Sequence, residues 1–276
     1  MSAQLLAKIG YVAPMIPYPT SAAADPETRA NMVWDWREMP IRDGRSIPGG
    51  AKLEKHGFAV VPHRSSITDF NESRDWSAPY AREIEALIKE ISGAAEVVIP
   101  RMRHLHRGGL AESLEVRLGS TRMTGGAGTV DFCHNDFTAA SVGRHIAEID
   151  PAKAEARLKK RFAIYNTWRL VSEPPQSKPL AICDPTSVNI ADLVPGDTYY
   201  YDEIWHQNAL FRYSPNHRWY YYPDLRVDEV LIWAGFDSDP RFPSIVPHCA
   251  FENPYCTDPA ACRIDVDTRA YAFFDD

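Results

Sequence analysis

Residues 161–170 read RFAIYNTWRL, and this run marks where the chain changes character. Ile164, Tyr165, Thr167 and Trp168 are β-branched or aromatic, the side chains that suit a pleated, half-buried surface. Runs of the same type recur at residues 179–183, 208–213, 219–222, 229–234 and 266–274. Pro, Gly, Asp and Asn punctuate them, as turns between strands require. Many short strands at such spacing predict a sandwich or barrel, so residues 161–276 are expected to be mostly β.

Upstream of this run the periodicity is helical. Residues 138–160 predict a helix split by Pro151, whose second half is a charged surface helix. Lys153, Arg157, Lys159, Lys160 and Arg161 read as its solvated face. Residues 79–92 predict the clearest helix. Ile84, Leu87, Ile88 and Ile91 recur at helical spacing, Ser77 or Asp75 can cap the start, and Gly93 is suited to stop it. Residues 56–62 and 96–99 read as short strands, and 123–129, rich in Gly, as a loop. Residues 1–55 read as an irregular, Pro-rich lead-in. The simplest architecture is one domain over residues 1–276: a mainly β, jelly-roll type barrel with flanking helices.

Composition narrows the function. A net charge of −7 argues against a nucleic-acid or anionic-membrane partner, which needs a basic face. No apolar run is long enough to span a bilayer, and the N-terminus lacks a secretory pattern, so a cytoplasmic setting is expected. Five cysteines, with no C-x-x-C, predict reduced thiols. A small-molecule partner fits best, and a homodimer is compatible with the sequence.

Residues 131–138 read DFCHNDFT. On a strand, His134 and Asp136 point to one face, where an imidazole and a carboxylate can grip one cation. Chance supplies roughly one such tripeptide in a chain of this composition, so it needs support. His248, in the stretch Pro247-His248-Cys249-Ala250-Phe251, is the candidate third ligand. Two histidines and one carboxylate leave coordination positions open, which suits iron(II). Cys133 and Cys249 adjoin the ligands but should face the other way, as small core residues. Arg263 follows His248 at a short gap, and its guanidinium matches a carboxylate in a bidentate fork. Arg169 lies in an apolar strand, where a charge needs a partner: a bound ligand or a structural Asp.

These motifs resemble the CmcJ/NvfI family of oxidoreductases, which includes hydroxylase/desaturases. The resemblance runs from about residue 55 to the end of the chain. It is carried by His134-Asn135-Asp136, Asn166-Thr167-Trp168-Arg169-Leu170, residues 179–184, residues 228–238 and residues 247–251, in that order. It implies a double-stranded β-helix core and iron(II) held by His134, Asp136 and His248. It also implies 2-oxoglutarate as co-substrate, with O2, and oxidation of a secondary metabolite by hydroxylation, desaturation or cyclisation. Arg263, with Arg169, would hold the co-substrate, and Arg103, Asn166 and Trp168 are candidate substrate-lining residues. The family's last strand often reads Arg-x-Ser-Ile-Glu-x-Arg, and here Asp265 stands where that Ser would be. An ionised Asp accepts hydrogen bonds only and repels a second carboxylate. Two other classes remain compatible with the residues: a non-catalytic jelly-roll binding module, and a cupin-like metal-dependent isomerase or hydrolase.

Overall fold

The computed structural model describes residues 5–16, 18–22, 31–70, 76–100, 102–107, 116–118, 121–123, 130–200, 203–257 and 263–275. The strands are β1 (Leu5–Val12), β2 (Thr20–Ala22), β3 (Trp34–Asp43), β4 (Phe58–Pro62), β5 (Glu96–Val98), β6 (Met102–Arg107), β7 (Val116–Leu118), β8 (Thr121–Met123), β9 (His134–Asn135), β10 (Phe162–Leu170), β11 (Leu180–Cys183), β12 (Leu193–Tyr200), β13 (Glu203–Phe211), β14 (Trp219–Tyr221), β15 (Glu229–Asp237), β16 (His248–Ala250) and β17 (Ile264–Phe273). The α-helices are α1 (Leu53–His56), α2 (Ser77–Ser92), α3 (Val142–Ile149) and α4 (Pro151–Leu158).

Two sheets carry the site. One has the order β1-β3-β14-β11-β16-β9-β13-β12-β2, and the other β4-β15-β10-β17-β5, with β6 also on β17. The mainly β fold with flanking helices is therefore as expected. In the second sheet β10 lies antiparallel between β15 and β17, and Asn166 is opposite both Trp233 and Arg269. Alternation then divides β10 between two faces. Asn166 and Trp168 point inward between the sheets, while Thr167 and Arg169 point toward α2. All nine residues of β10 are buried, because sheet covers one face and helix the other.

Helix α2 buries Tyr80, Ile84, Leu87 and Ile88. Ile91, expected in the core, is 36% exposed, and Tyr80 takes its place one turn earlier than Ile84. Gly93 ends the helix in the left-handed conformation with its N–H on the Lys89 carbonyl, which a side chain would disfavour. Pro151 begins α4, with Asp150 capping the Ala152 N–H. The basic cluster is less solvated than its sequence suggests. Arg157 is buried against Glu96 and the Phe273 ring, and Arg161 pairs with Asp237 between Phe242 and Phe274.

The lead-in expectation is corrected. Residues 1–55 contain β1 and β3, which pair along their whole shared length from Leu5 opposite Ile41 to Val12 opposite Trp34. The alternation that hides in this Pro-rich stretch is Leu5, Ala7, Ile9 and Tyr11, all buried. These side chains share a core cluster with Met39, Ile41, Cys133, Ala181, Cys183, Trp219, Cys249 and Phe251. The sheet curls far enough for Gly10 to meet it again: its N–H bonds the Asp131 carbonyl, and its carbonyl accepts from the Cys133 N–H. Four cysteines are free thiols, and Cys133, Cys183 and Cys249 are buried in this cluster. Cys262 and residues 124–129 lie outside the described residues.

Candidate metal centre

His134 on β9 and His248 on β16 are direct cross-strand partners. Their ring centroids are 4.4 Å apart. Asp136 follows β9 immediately. Its Oδ1 is 3.9 Å from His134 Nε2, and its Oδ2 is 4.0 Å from His248 Nε2. One ligand atom from each residue lies within 4.8 Å of the others.

Both imidazoles are prepared in the same way. His134 Nδ1 donates to the Phe132 carbonyl at 2.9 Å, and His248 Nδ1 to the Val246 carbonyl at 3.2 Å. A carbonyl can only accept, so the proton sits on Nδ1 and the Nε2 lone pair faces Asp136. Burial lowers both histidine pKa values, that of His248 to about 3, with the neighbouring His134 adding to the effect. Neutral imidazoles are what a metal requires. Ile245, a β-branched residue at φ 57, makes the turn that delivers Val246 and His248 to this position.

The carboxylate is held as firmly as the rings. Asp136 Oδ2 accepts from Arg269 Nη2 at 2.7 Å and from Asn166 Nδ2 at 2.7 Å. Arg269 also donates from Nη1 to Asp267. Burial opposes the arginine's charge, but Asp136 and Asp267 outweigh it and its pKa is raised. Asn135 anchors the segment from behind, donating to the Phe137 and Gly235 carbonyls. Gly235 leaves room for this: a Cβ there would stand 2.9 Å from the Phe137 ring. The N-terminal strands add support, since Trp34 stacks on Phe132 at 4.1 Å and Phe132 meets the His134 ring at 5.3 Å.

The donor set fits a divalent transition metal with open positions: two Nε2 lone pairs and one oriented carboxylate on one side. Buried polar atoms near it also await partners. Asn166 Oδ1, Arg269 Nε and Trp233 Nε1 have no hydrogen-bond partner among the described residues. The Trp233 ring packs 4.8 Å from His248.

The other expected residues are distributed unevenly. Arg263 is buried just ahead of β17, donating from Nε to Asp265 Oδ1 at 2.5 Å and from Nη1 to the Lys178 carbonyl at 2.8 Å. Its guanidinium lies 5.5 Å from the Trp168 ring, which is on the inward face of β10. Arg169 lies on the opposite face of β10 from Asn166 and Trp168. It points outward, bonding the Tyr80 hydroxyl at 3.0 Å, the Val227 carbonyl and both the ring and carbonyl of His63. These partners are hydroxyl, imidazole and carbonyl groups, where the sequence left open a structural Asp or a bound ligand. Asn166 meets Asp136 directly, a contact its expected substrate role did not include. The side chain of Arg103, on β6, lies outside the described residues. Arg269 and Trp233 were not anticipated. The available signal for Arg269 was its place in the middle of a strand, where a buried charge must have a partner.

Comparisons with known proteins give the chain's family. The family description "Oxidoreductase/YMDC permease-like domain" matches residues 9–273. Among the described residues no helix is long and apolar enough to cross a membrane. A hydroxylase/desaturase of Cercospora beticola is 30% identical over 263 residues, covering 88% of this chain and 78% of that protein. A hydroxylase/desaturase of Hormonema carpetanum is 30% identical over 269 residues, covering 89% and 86%. An Fe(II)/2-oxoglutarate-dependent dioxygenase of Aspergillus novofumigatus is 26% identical, covering 90% and 87%. Solved structures of the iron and alpha-ketoglutarate-dependent endoperoxidase NvfI share the fold. One variant superposes with a TM-score of 0.86 at 22% identity, covering 99% of this chain and 98% of that one. With the motifs in order and similarity along nearly the whole chain, the protein belongs to the oxidoreductase family that includes these hydroxylase/desaturases.

Proposed function

We propose that the protein is an iron(II)- and 2-oxoglutarate-dependent dioxygenase that oxidises a small molecule of secondary-metabolite type. The observation that carries this is the convergence of His134 Nε2, His248 Nε2 and Asp136, with both histidine tautomers and the carboxylate already oriented. When bound there, iron supplies oxygen activation coupled to decarboxylation of the 2-oxo acid. The chain's own part is to hold the ligands and keep the site dry. The Phe132 and Val246 carbonyls keep the Nδ1 protons in place, so Nε2 stays available. Arg269 and Asn166 hold the Asp136 carboxylate in place through Oδ2. Trp233 excludes water beside His248. Relatives named as hydroxylase/desaturases and dioxygenases support the reading, and a small-molecule partner and a cytoplasmic setting are part of the proposal.

The test is succinate formation by the Fe(II)-loaded protein with 2-oxoglutarate and O2. His134→Ala, Asp136→Ala and His248→Ala should each abolish it together with stoichiometric metal binding. Full activity in His134→Ala would overturn the ligand assignment. Turnover of substrate without O2 would point instead to a cupin-like isomerase or hydrolase.

A further inference from the structure

Four charged side chains stand in alternation from the residue just ahead of β17 into the strand: Arg263, Asp265, Asp267 and Arg269. Alternation places them on one face. That face looks toward the metal ligands, because Arg269 reaches Asp136 from it. Every charge on it is already engaged. Arg269 is shared between Asp136 and Asp267, and Arg263 is bound by Asp265. The Arg263–Asp265 pair is well buried, at 5% and 1% exposure. Two guanidinium groups thus face three carboxylates: Asp136, Asp265 and Asp267.

A divalent cation at the triad turns this set from one net negative charge to one net positive charge. A 2-oxo acid with a single carboxylate balances it. A dicarboxylic one brings a second negative charge and finds the Arg263 Nε already taken by Asp265 and Nη1 by the Lys178 carbonyl. An ionised Asp265 cannot donate to that second carboxylate. Breaking a buried, hydrogen-bonded ion pair to release the arginine is expensive.

We infer that Asp265 is a specificity-determining residue of this site: by holding Arg263 it weakens the grip on the distal carboxylate of a dicarboxylic 2-oxo acid and narrows the advantage of 2-oxoglutarate over a monocarboxylic 2-oxo acid such as pyruvate. The inference rests on the proposed 2-oxo-acid site and adds to it which residue sets the choice of co-substrate. An amide at this position would still accept from Arg263 Nε, and its NH2 could donate to the incoming carboxylate. The negative charge would be gone while the shape is kept.

The experiment is calorimetric titration of the Mn(II)-loaded protein, which binds without turnover, with 2-oxoglutarate and with pyruvate. Asp265→Asn should tighten 2-oxoglutarate about tenfold and leave pyruvate unchanged, a factor equal to about 1.4 kcal/mol. Arg263→Met placed on Asp265→Asn should remove that gain, again without affecting pyruvate. Unchanged or weaker 2-oxoglutarate binding in Asp265→Asn, or equal tightening of both acids, overturns the inference and leaves the 2-oxo-acid site standing. Binding of neither acid to wild-type protein that holds Mn(II) overturns the site itself and the inference with it.

Discussion

Arg269 Nη2 donates to Asp136 Oδ2 at 2.7 Å, tying the last strand of the fold to the carboxylate of the metal triad. Asp136 lies just outside β9, a strand of only two residues, so its own backbone restrains it little. The guanidinium, with Asn166, supplies the missing restraint. Arg269→Met should therefore weaken Mn(II) or Fe(II) binding by about 10–100-fold, the usual effect of losing an outer partner of a ligand. Arg269→Lys, which keeps the charge and loses the fork, should recover part of it. Metal titration of the three proteins measures both effects.

Asn166 gives a second handle on the same carboxylate, through Nδ2 at 2.7 Å. Asn166→Ala is expected to lower metal affinity about tenfold. Asn166→Asp should lower it further, because a like charge then abuts Asp136. A variant that binds metal normally but shows a raised KM for substrate would instead restore Asn166 to a substrate-lining role.

Arg169 should behave as a structural residue. Its guanidinium is fully buried among Tyr80, His63 and Val227 and joins α2 to the outer face of the sheet. Arg169→Met removes that network and should destabilise the fold by about 3 kcal/mol, leaving buried acceptors unpaired. Thermal midpoints should fall by roughly 6–12 °C. Metal affinity measured well below the transition should not change.

Glu229 provides a pH-dependent contribution to stability. Burial would raise its pKa, but the Arg45 guanidinium at 2.7 Å and the Arg226 N–H hold it below the ordinary value of 4.5. Its contribution is therefore complete above pH 4.5 and is lost as pH falls through the lower folded value. Glu229→Gln should cost about 1 kcal/mol at neutral pH, discounted for the part-exposed Arg45. The difference from wild type should vanish in melts well below that range.

The buried thiols should be inert. Burial pushes Cys183 up to about 12 and Cys133 and Cys249 well above their ordinary value. At pH 8 iodoacetamide should spare all three in the native protein while labelling the partly exposed Cys256. Labelling in denaturant should then reach them, which peptide mass mapping would show.

Some of this was written locally. The run at 161–170 carries its β character in each residue, and it became β10 within one residue of the expected start. The triad was also legible, because H-x-D and a later His within ordered motifs name side chains whose chemistry is the signal. The lead-in was not. Its apolar alternation at Leu5, Ala7, Ile9 and Tyr11 sits among Pro and Gly, and its strands exist because β3 pairs with β14 and they extend a sheet whose other strands come much later in the chain.

Residue identity alone settled that two imidazoles and a carboxylate were available, and that buried arginines would need partners. It could not say which partner each arginine meets. Arg169 and Arg263 looked alike as buried cations near the expected site. Strand register put Arg169 on the outer face against Tyr80 and Arg263 beside Asp265. The same register brought Arg269, with no assigned role, to Asp136. The reason is that a strand's period of two assigns every side chain to a face, and pairing between distant strands decides what that face meets.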